Sequence, residues 1–332
     1  MATYAMLLLP SANRVYADAA VDLSLAELSA MNEIGLSGQL TDIAADAIAG
    51  VPYVTFTGPE LTERDIDHLS QLSAMYALFA RRDGGLWPIE LRRTDRFDDD
   101  LVTIQKYPGK TNEQFTKLLL NVTALASGGF LDRKLRVLDP LCGRGTTLNQ
   151  ALMYGYDACG LDLDGKDFDA YVGFIQTYLK RKRIKHQAHL GPVRREKKTV
   201  AKRLTVTIAG TLNLDVVHAD TLNAGAFFRP GTFDVIVTDA PYGVQHGSRT
   251  VAQGLRRDPL ALLTAAMPVW AGLLRPGGAI GIAWNTHVAK RAELADVLGG
   301  AGLVVHDKPP FDGFRHRVDQ SILRDVIVAV KG

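Results

Sequence analysis

Residues 137 to 147 read Val137-Leu138-Asp139-Pro140-Leu141-Cys142-Gly143-Arg144-Gly145-Thr146-Thr147: an apolar strand, a glycine-containing turn and the start of a helix. In a doubly wound sheet the first strand-to-helix turn is where a nucleotide-like ligand packs. Glycine lets the backbone approach closely, and the helix N-terminus offers unpaired amides. Gly143-Arg144-Gly145 is shorter than the six-residue dinucleotide pattern, and no Gly-Lys-Ser/Thr closes it, which excludes a P-loop. A carboxylate at the strand tip, Asp139, repels phosphates and favours a cationic ligand.

Strand and helix alternate from residue 134 onward. Strand-like runs fall at 135–138, 158–163, 213–218, 233–238, 279–283, 303–306 and 323–330, with helical intervals such as 147–153, 260–274 and 288–298. Seven strands joined by helices predict an α/β, Rossmann-like and mostly parallel sheet covered on both faces. Just upstream, Phe115, Leu118, Leu119, Val122 and Leu125 share one side of an expected helix over 112–127.

Three further strand tips carry an acid. Asp162 ends the second strand, seventeen residues after Gly145, where a carboxylate can take two hydrogen bonds from ribose hydroxyls; Asp164, two residues on, competes for that role. Asp220 ends the third, placed to accept from an adenine amino group. Asp239 ends the fourth and opens Thr238-Asp239-Ala240-Pro241-Tyr242-Gly243. The first three tips describe a site for adenosine bearing a positive charge, which fits S-adenosylmethionine. The fourth offers a carboxylate, a backbone carbonyl and an aromatic face to one planar target, as methylation of an exocyclic amine requires. Such an amine is a weak nucleophile because its lone pair is delocalised. Hydrogen bonds to Asp239 and to the Ala240 carbonyl favour a pyramidal nitrogen, and the ring of Tyr242 holds the base by stacking.

Asp139-Pro-Leu-Cys-Gly-Arg-Gly-Thr146, Gly160-Leu-Asp-Leu-Asp164 and Thr238-Asp-Ala-Pro-Tyr-Gly243 together resemble the class I S-adenosylmethionine-dependent methyltransferases. Among these the chain is most similar to the guanine-N2 RNA methyltransferases, nearest to the archaeal and eukaryotic tRNA methyltransferases that modify guanosine 10. The resemblance spans roughly residues 105 to 330. It implies S-adenosylmethionine as cofactor and tRNA as partner. It places the methionine part against Asp139, Pro140, Cys142, Gly143, Gly145 and Thr146, the ribose at Asp162 and the adenine at Asp220. The target base then falls at Asp239, Ala240, Pro241 and Tyr242. One departure is Ala240, where the family has proline, so the turn lacks a fixed φ.

The expected organisation is an N-terminal α+β domain of ferredoxin-like type over 1–95, a polar linker over 96–112, and a methyltransferase domain over 113–332. In the first of these, strands are expected at 4–9, 51–57 and 87–91. Helices are expected at 24–31 and 63–79, the latter from Ile66, Leu69, Leu72 and Met75 at a spacing of three. Between Lys180 and Arg203 stand eleven Lys or Arg against Glu196 alone, in a chain whose total charge is +2, so the remainder is acidic. Read as an insertion over 180–203, this block offers Lys180, Arg181, Lys182, Arg183, Arg194 and Arg195 to a polyanion.

Apolar residues at 47% and charged residues at 22% are those of a globular chain. Two cysteines make neither a disulfide framework nor a metal site, and the eight histidines are scattered, so no metal is expected. The longest apolar runs are strand-sized, which predicts no membrane span. No secretory pattern marks the first residues, which sets the cytoplasm as the expected location. Two other readings use the same residues: an N-methyltransferase for a small-molecule amine or DNA adenine, and an RNA-binding protein that keeps the fold without turnover.

Overall fold

The computed structural model describes residues 1–11, 14–36, 38–242 and 258–332; Gly243, the last residue of the amine motif, lies outside them. The N-terminal elements are β1 (Ala2–Leu8), α1 (Arg14–Ala30) with a π turn at Met31–Gly35, β2 (Thr41–Ile48), β3 (Val51–Gly58), α2 (Glu63–Leu69), β4 (Met75–Arg82) and β5 (Gly85–Ile89). The strands pair antiparallel in the order β2-β3-β1-β4-β5.

The helix expected over 63–79 stops at Leu69. Thr62 caps its start through the Asp65 amide, and the Asp65 carboxylate returns to the Thr62 amide at 2.8 Å. The spacing of three outlives the helix because Leu72 is buried from the following turn and Met75 begins β4. Strand β2 was not expected. Its Ala44-Ala45-Asp46-Ala47 lies at a sheet edge with no apolar alternation to signal it.

The second sheet follows α3 (Asp100–Thr103) and α4 (Glu113–Ala126). It contains β6 (Arg136–Asp139), β7 (Asp157–Asp162), β8 (His186–Arg195), β9 (Lys198–Ile208), β10 (Leu212–His218), β11 (Phe233–Asp239), β12 (Leu274–Asn285), β13 (Leu303–His306), β14 (His316–Arg317) and β15 (Leu323–Lys331). Its connecting helices are α5 (Thr146–Met153), α6 (Gly165–Arg181), α7 (Pro259–Leu273) and α8 (Arg291–Gly300). The order is β13-β15-β12-β11-β6-β7-β10-β9-β8, with β14 paired to β15. Thus the seven expected strands are present in a mixed sheet of ten. Strands β10, β7, β6, β11 and β12 run parallel, and β15 is antiparallel to β12. The chain winds one way from β6 through β7 to β10 and the other way from β11 to β12. The crevice between β6 and β11 is therefore the topological switch point, where such sheets bind ligands.

The block at 180–203, which stands in sequence between β7 and β10, is built of regular elements. It is the end of α6 followed by the β8–β9 hairpin, which adds two strands to the sheet beside β10. The segment 96–112 is likewise more than a linker. It holds α3, and Lys182 pairs with Asp98 and Asp100 at 2.8 and 2.7 Å.

Helix α4 covers β11, β12 and β15. At Gly281 of β12 a Cβ would fall 1.9 Å from Thr123 Oγ1, so only glycine allows this approach. The two sheets share one apolar core. A buried polar network crosses their junction: Glu27 of α1 accepts from the Ser73 amide at 3.0 Å and from Asn121 Nδ2 of α4 at 2.7 Å, while Tyr154 donates to Asn121 Oδ1 at 2.6 Å. Burial raises the Glu27 carboxyl pKa, and the Ser73 and Asn121 donors oppose that rise.

Candidate active site

The four acidic tips lie on one edge of the sheet, because their strands are parallel and in register: Asp139 opposite Gly160, His218 opposite Asp162, and Ile236 opposite Leu138. After β6 the chain makes the glycine turn. The Cys142 amide donates to the Leu161 carbonyl at 2.9 Å, and the Gly143 amide to Asp162 Oδ2 at 2.8 Å, which fastens the turn to β7. Gly143 and Gly145 have φ of 49° and 79°, in the left-handed region that favours glycine. A Cβ on Gly145 would lie 2.2 Å from the Tyr171 ring, whereas one on Gly143 would meet nothing within 4 Å.

A cavity of about 380 Å³ opens at this edge, within the range of small-ligand sites. The turn contributes Asp139, Leu141, Cys142, Gly143, Arg144 and Thr146, and β11 with its exit contributes Asp239, Ala240, Pro241 and Tyr242. Of the residues expected at the cofactor, Asp139, Cys142, Gly143 and Thr146 line the cavity; Pro140 and Gly145 belong to the turn but not to the lining. Asp162 and Asp220 are not in the lining. Asp162 Oδ1 accepts from the Asp164 amide at 2.7 Å, so both its oxygens latch backbone. Asp220 Oδ1 starts the 3-10 turn Thr221–Ala226 by accepting from the Leu222 amide at 2.9 Å, and Asp164 caps α6. A larger hollow, about 610 Å³, lies between α1 and the 309–313 turn and includes no strand tip.

Asp139 is 3% exposed, and burial pushes its carboxyl up to about 7, against the Leu141 amide bond that favours the charged form. A buried acid facing a cavity gains most from a cation.

On the other side of the cavity Asp239 is held by three partners, two of them distant in sequence. Thr111 Oγ1 donates to Oδ2 at 2.7 Å, Arg324 Nη2 approaches Oδ2 at 3.5 Å, and the Tyr242 hydroxyl donates to Oδ1. Burial, then the Asp239 charge, raise the Tyr242 hydroxyl well above its usual value, so it remains a protonated donor. The Arg324 guanidinium is 4% exposed and lies over the rings of Phe115 at 4.2 Å and Tyr242 at 5.1 Å; its Nε has no hydrogen-bond partner among the described residues. The sequence singled out neither Thr111 nor Arg324. Tyr107, from the same segment as Thr111, reaches the other side of the cavity, sharing a 3.3 Å hydrogen bond with Thr146 under the Arg144 guanidinium.

The departure at Ala240 has a structural consequence. Its amide donates to the Ala283 carbonyl of β12 at 2.8 Å, a bond proline cannot make. The turn is anchored by that ladder bond in place of a ring-fixed φ.

The basic residues divide. Helix α6 runs back from the acidic tips, so Lys180, Arg181, Lys182 and Arg183 lie at the opposite edge of the sheet. Strand β8 then returns towards the tips and carries Arg194 and Arg195 to the same end of the sheet as the acidic residues. Cys142 and Cys159 are buried free thiols. Among the described residues no cluster of His, Cys, Asp or Glu could hold a metal ion, and no helix is long and apolar enough to cross a membrane.

No protein-family model matches the sequence, and no curated protein matches it. Among solved structures, a TehB-like SAM-dependent methyltransferase from Corynebacterium glutamicum is 17% identical, with a TM-score of 0.35 over 62% of this chain and 88% of that one. A 16S rRNA N2 G1207 methyltransferase from T. thermophilus, in complex with AdoMet and guanosine, is 19% identical, with a TM-score of 0.39 over 87% of this chain and 58% of that one. Magnesium protoporphyrin IX methyltransferase from Synechocystis, with bound SAH, is 15% identical, with a TM-score of 0.42 over 68% of this chain and 90% of that one. Scores this low carry no argument about chemistry.

Proposed function

We propose that the protein is an S-adenosylmethionine-dependent N-methyltransferase whose acceptor is the exocyclic N2 amine of guanosine in RNA, with tRNA the expected substrate. The observation that carries this reading is the facing pair in one cavity: a glycine turn with the buried acid Asp139, and the Asp239-Ala-Pro-Tyr242 tip. The fit to the cofactor rests on Asp139, a buried carboxyl facing the cavity, and on the open space at Gly143, where a side chain would intrude on a ligand. Asp139, Cys142, Gly143 and Thr146 hold the methionine part, and Asp162 and Asp220 the ribose and adenine. S-adenosylmethionine supplies an electrophilic methyl group on a sulfonium.

Asp239 accepts a hydrogen bond from the acceptor amine and takes the proton that the amine loses on methylation. The Ala240 carbonyl takes the second amine hydrogen, and the two bonds turn the nitrogen lone pair towards the cofactor side of the cavity. Tyr242 stacks on the base, a contact worth ~1–3 kcal/mol in comparable pairs. Its hydroxyl occupies Asp239 Oδ1, so an arriving amine competes with it for that oxygen. A base within a helix has to leave its stack to reach this cavity.

Asp239→Ala tests the assignment with labelled S-adenosylmethionine and tRNA. Transfer should fall by ~10³ or more, as for removal of a group that acts in the transition state, while the cofactor dissociation constant stays that of the parent. Undiminished transfer would remove Asp239 from the reaction.

A further inference from the structure

We propose that the tip of the β8–β9 hairpin is the docking surface for the RNA backbone, and that the basic residues at the end of α6 take no part in it. The proposal rests on the reading of the cavity as a methyl-transfer site for a base in RNA. It follows from where the strands deliver each charge. Lys202 lies opposite His218, the last residue of β10, so the four residues Lys198 to Ala201 run on past the end of that strand. Arg195 pairs with Lys198 across a two-residue turn, Glu196-Lys197, in which both residues have positive φ, 47° and 64°. That is the geometry of a tight hairpin turn whose twist matches its strands. The tip is thus a short, defined arm on the same edge as Asp139 and Asp239.

The charges on it are free to act. Arg194, Lys197 and Lys198 are exposed and make no ion pair among the described residues, whereas Lys202 is 3.8 Å from Asp169 and Arg203 is paired with Asp215. Arg195 braces the arm, donating to the Ala226 carbonyl beside the Phe227 ring. At the far edge Lys182 is neutralised by Asp98 and Asp100. The ten residues of β8 separate the two clusters by ~30 Å at ~3.3 Å per residue. A ligand that runs along the tip edge to Asp239 meets the tip cations directly and lies about that distance from Lys180, Arg181 and Arg183.

The span identifies the partner. From β11 to β8 are five strand spacings, ~24 Å at ~4.8 Å each, about seven stacked nucleotides at ~3.4 Å. A mononucleotide cannot bridge Asp239 and Arg194 of β8, and an RNA segment can. Its phosphates would meet three exposed cations, and contacts to phosphate add affinity and orientation without sequence choice.

Two triple variants test this: Arg194→Gln with Lys197→Gln and Lys198→Gln at the tip, and Lys180→Gln with Arg181→Gln and Arg183→Gln at the far edge. Dissociation constants for a structured RNA are measured across a salt series, alongside cofactor binding and methyl transfer to free guanosine. The tip variant should bind RNA more weakly, with a log–log salt slope smaller by about two to three, and keep cofactor binding and transfer to guanosine. The far-edge variant should match the parent. Parental affinity and slope in the tip variant, or an equal loss in the far-edge variant, would overturn the proposal. A parent that methylates guanosine but binds no RNA overturns the surface and keeps the cavity; one that binds RNA at the tip but methylates nothing keeps the surface and overturns the cavity.

Discussion

The two walls of the cavity are built by different means. The turn after β6 is held by backbone: two left-handed glycines, the Cys142 amide on Leu161 and the Gly143 amide on Asp162. The wall after β11 has one backbone bond, Ala240 to Ala283, and is otherwise held by side chains from elsewhere, with Thr111 and Arg324 meeting Asp239 across 128 and 85 residues of sequence. Backbone turns tolerate little change in shape and say little about chemistry. Side-chain clamps can be retuned one residue at a time, which suits the wall proposed to recognise the acceptor.

Substitutions on each wall can break this contrast. The largest effect is expected at Gly145→Ala, where a left-handed φ costs ~1–2 kcal/mol and the clash with Tyr171 adds ~1–3 kcal/mol. Urea denaturation should show the sum. Gly143→Ala, with open space around it, should lose only the backbone part, and equal losses at the two glycines would mean that Tyr171 is not what sets the cost.

On the other wall Arg324→Met should leave cofactor affinity alone and lower the rate at saturating acceptor by ~10- to 100-fold, because Asp239 and Tyr242 lose their common support. Arg324→Lys, which keeps the charge but not the planar group over two rings, should recover only part of that rate. A loss seen in cofactor binding instead would place Arg324 in general stability.

A further effect is a pH dependence at Asp139. The folded carboxyl keeps its proton up to about 7, against ~3.9 in an unfolded chain. The stability this proton contributes is complete below the unfolded value and is lost as pH rises through the folded one. Asp139→Asn should flatten the stability profile over that window. A cationic cofactor prefers the ionised form, so parental cofactor affinity should rise with pH through about 7 while that of the variant stays level. Parallel profiles in calorimetry would take Asp139 out of the cofactor site.

The same contrast explains what the sequence disclosed. The seven strands and the glycine turn were legible because apolar runs, glycines and strand-end acids are local signals. Asp239 to Tyr242 was legible as a motif, but Thr111 and Arg324 were not, since nothing in the polar stretch 96–112 or in a final strand announces a partner so far along the chain. The β8–β9 hairpin was hidden for another reason. Its turn is Glu196-Lys197 rather than an Asn-Gly pair, and most of β8 is exposed on both faces, so neither turn chemistry nor alternation marked it. Helix α2 shows the converse failure, a helical spacing that continued through a turn into β4 because both place apolar residues in one core.

The central claim is that the cavity joins a methyl donor to the N2 amine of guanosine. Nucleoside mass spectrometry of tRNA incubated with the protein and S-adenosylmethionine tests it most directly. The account predicts N2-methylguanosine with the parent and none with Asp239→Ala. A methyl group on another atom, such as the adenine N6, or N2-methylguanosine formed equally by the variant, would contradict it.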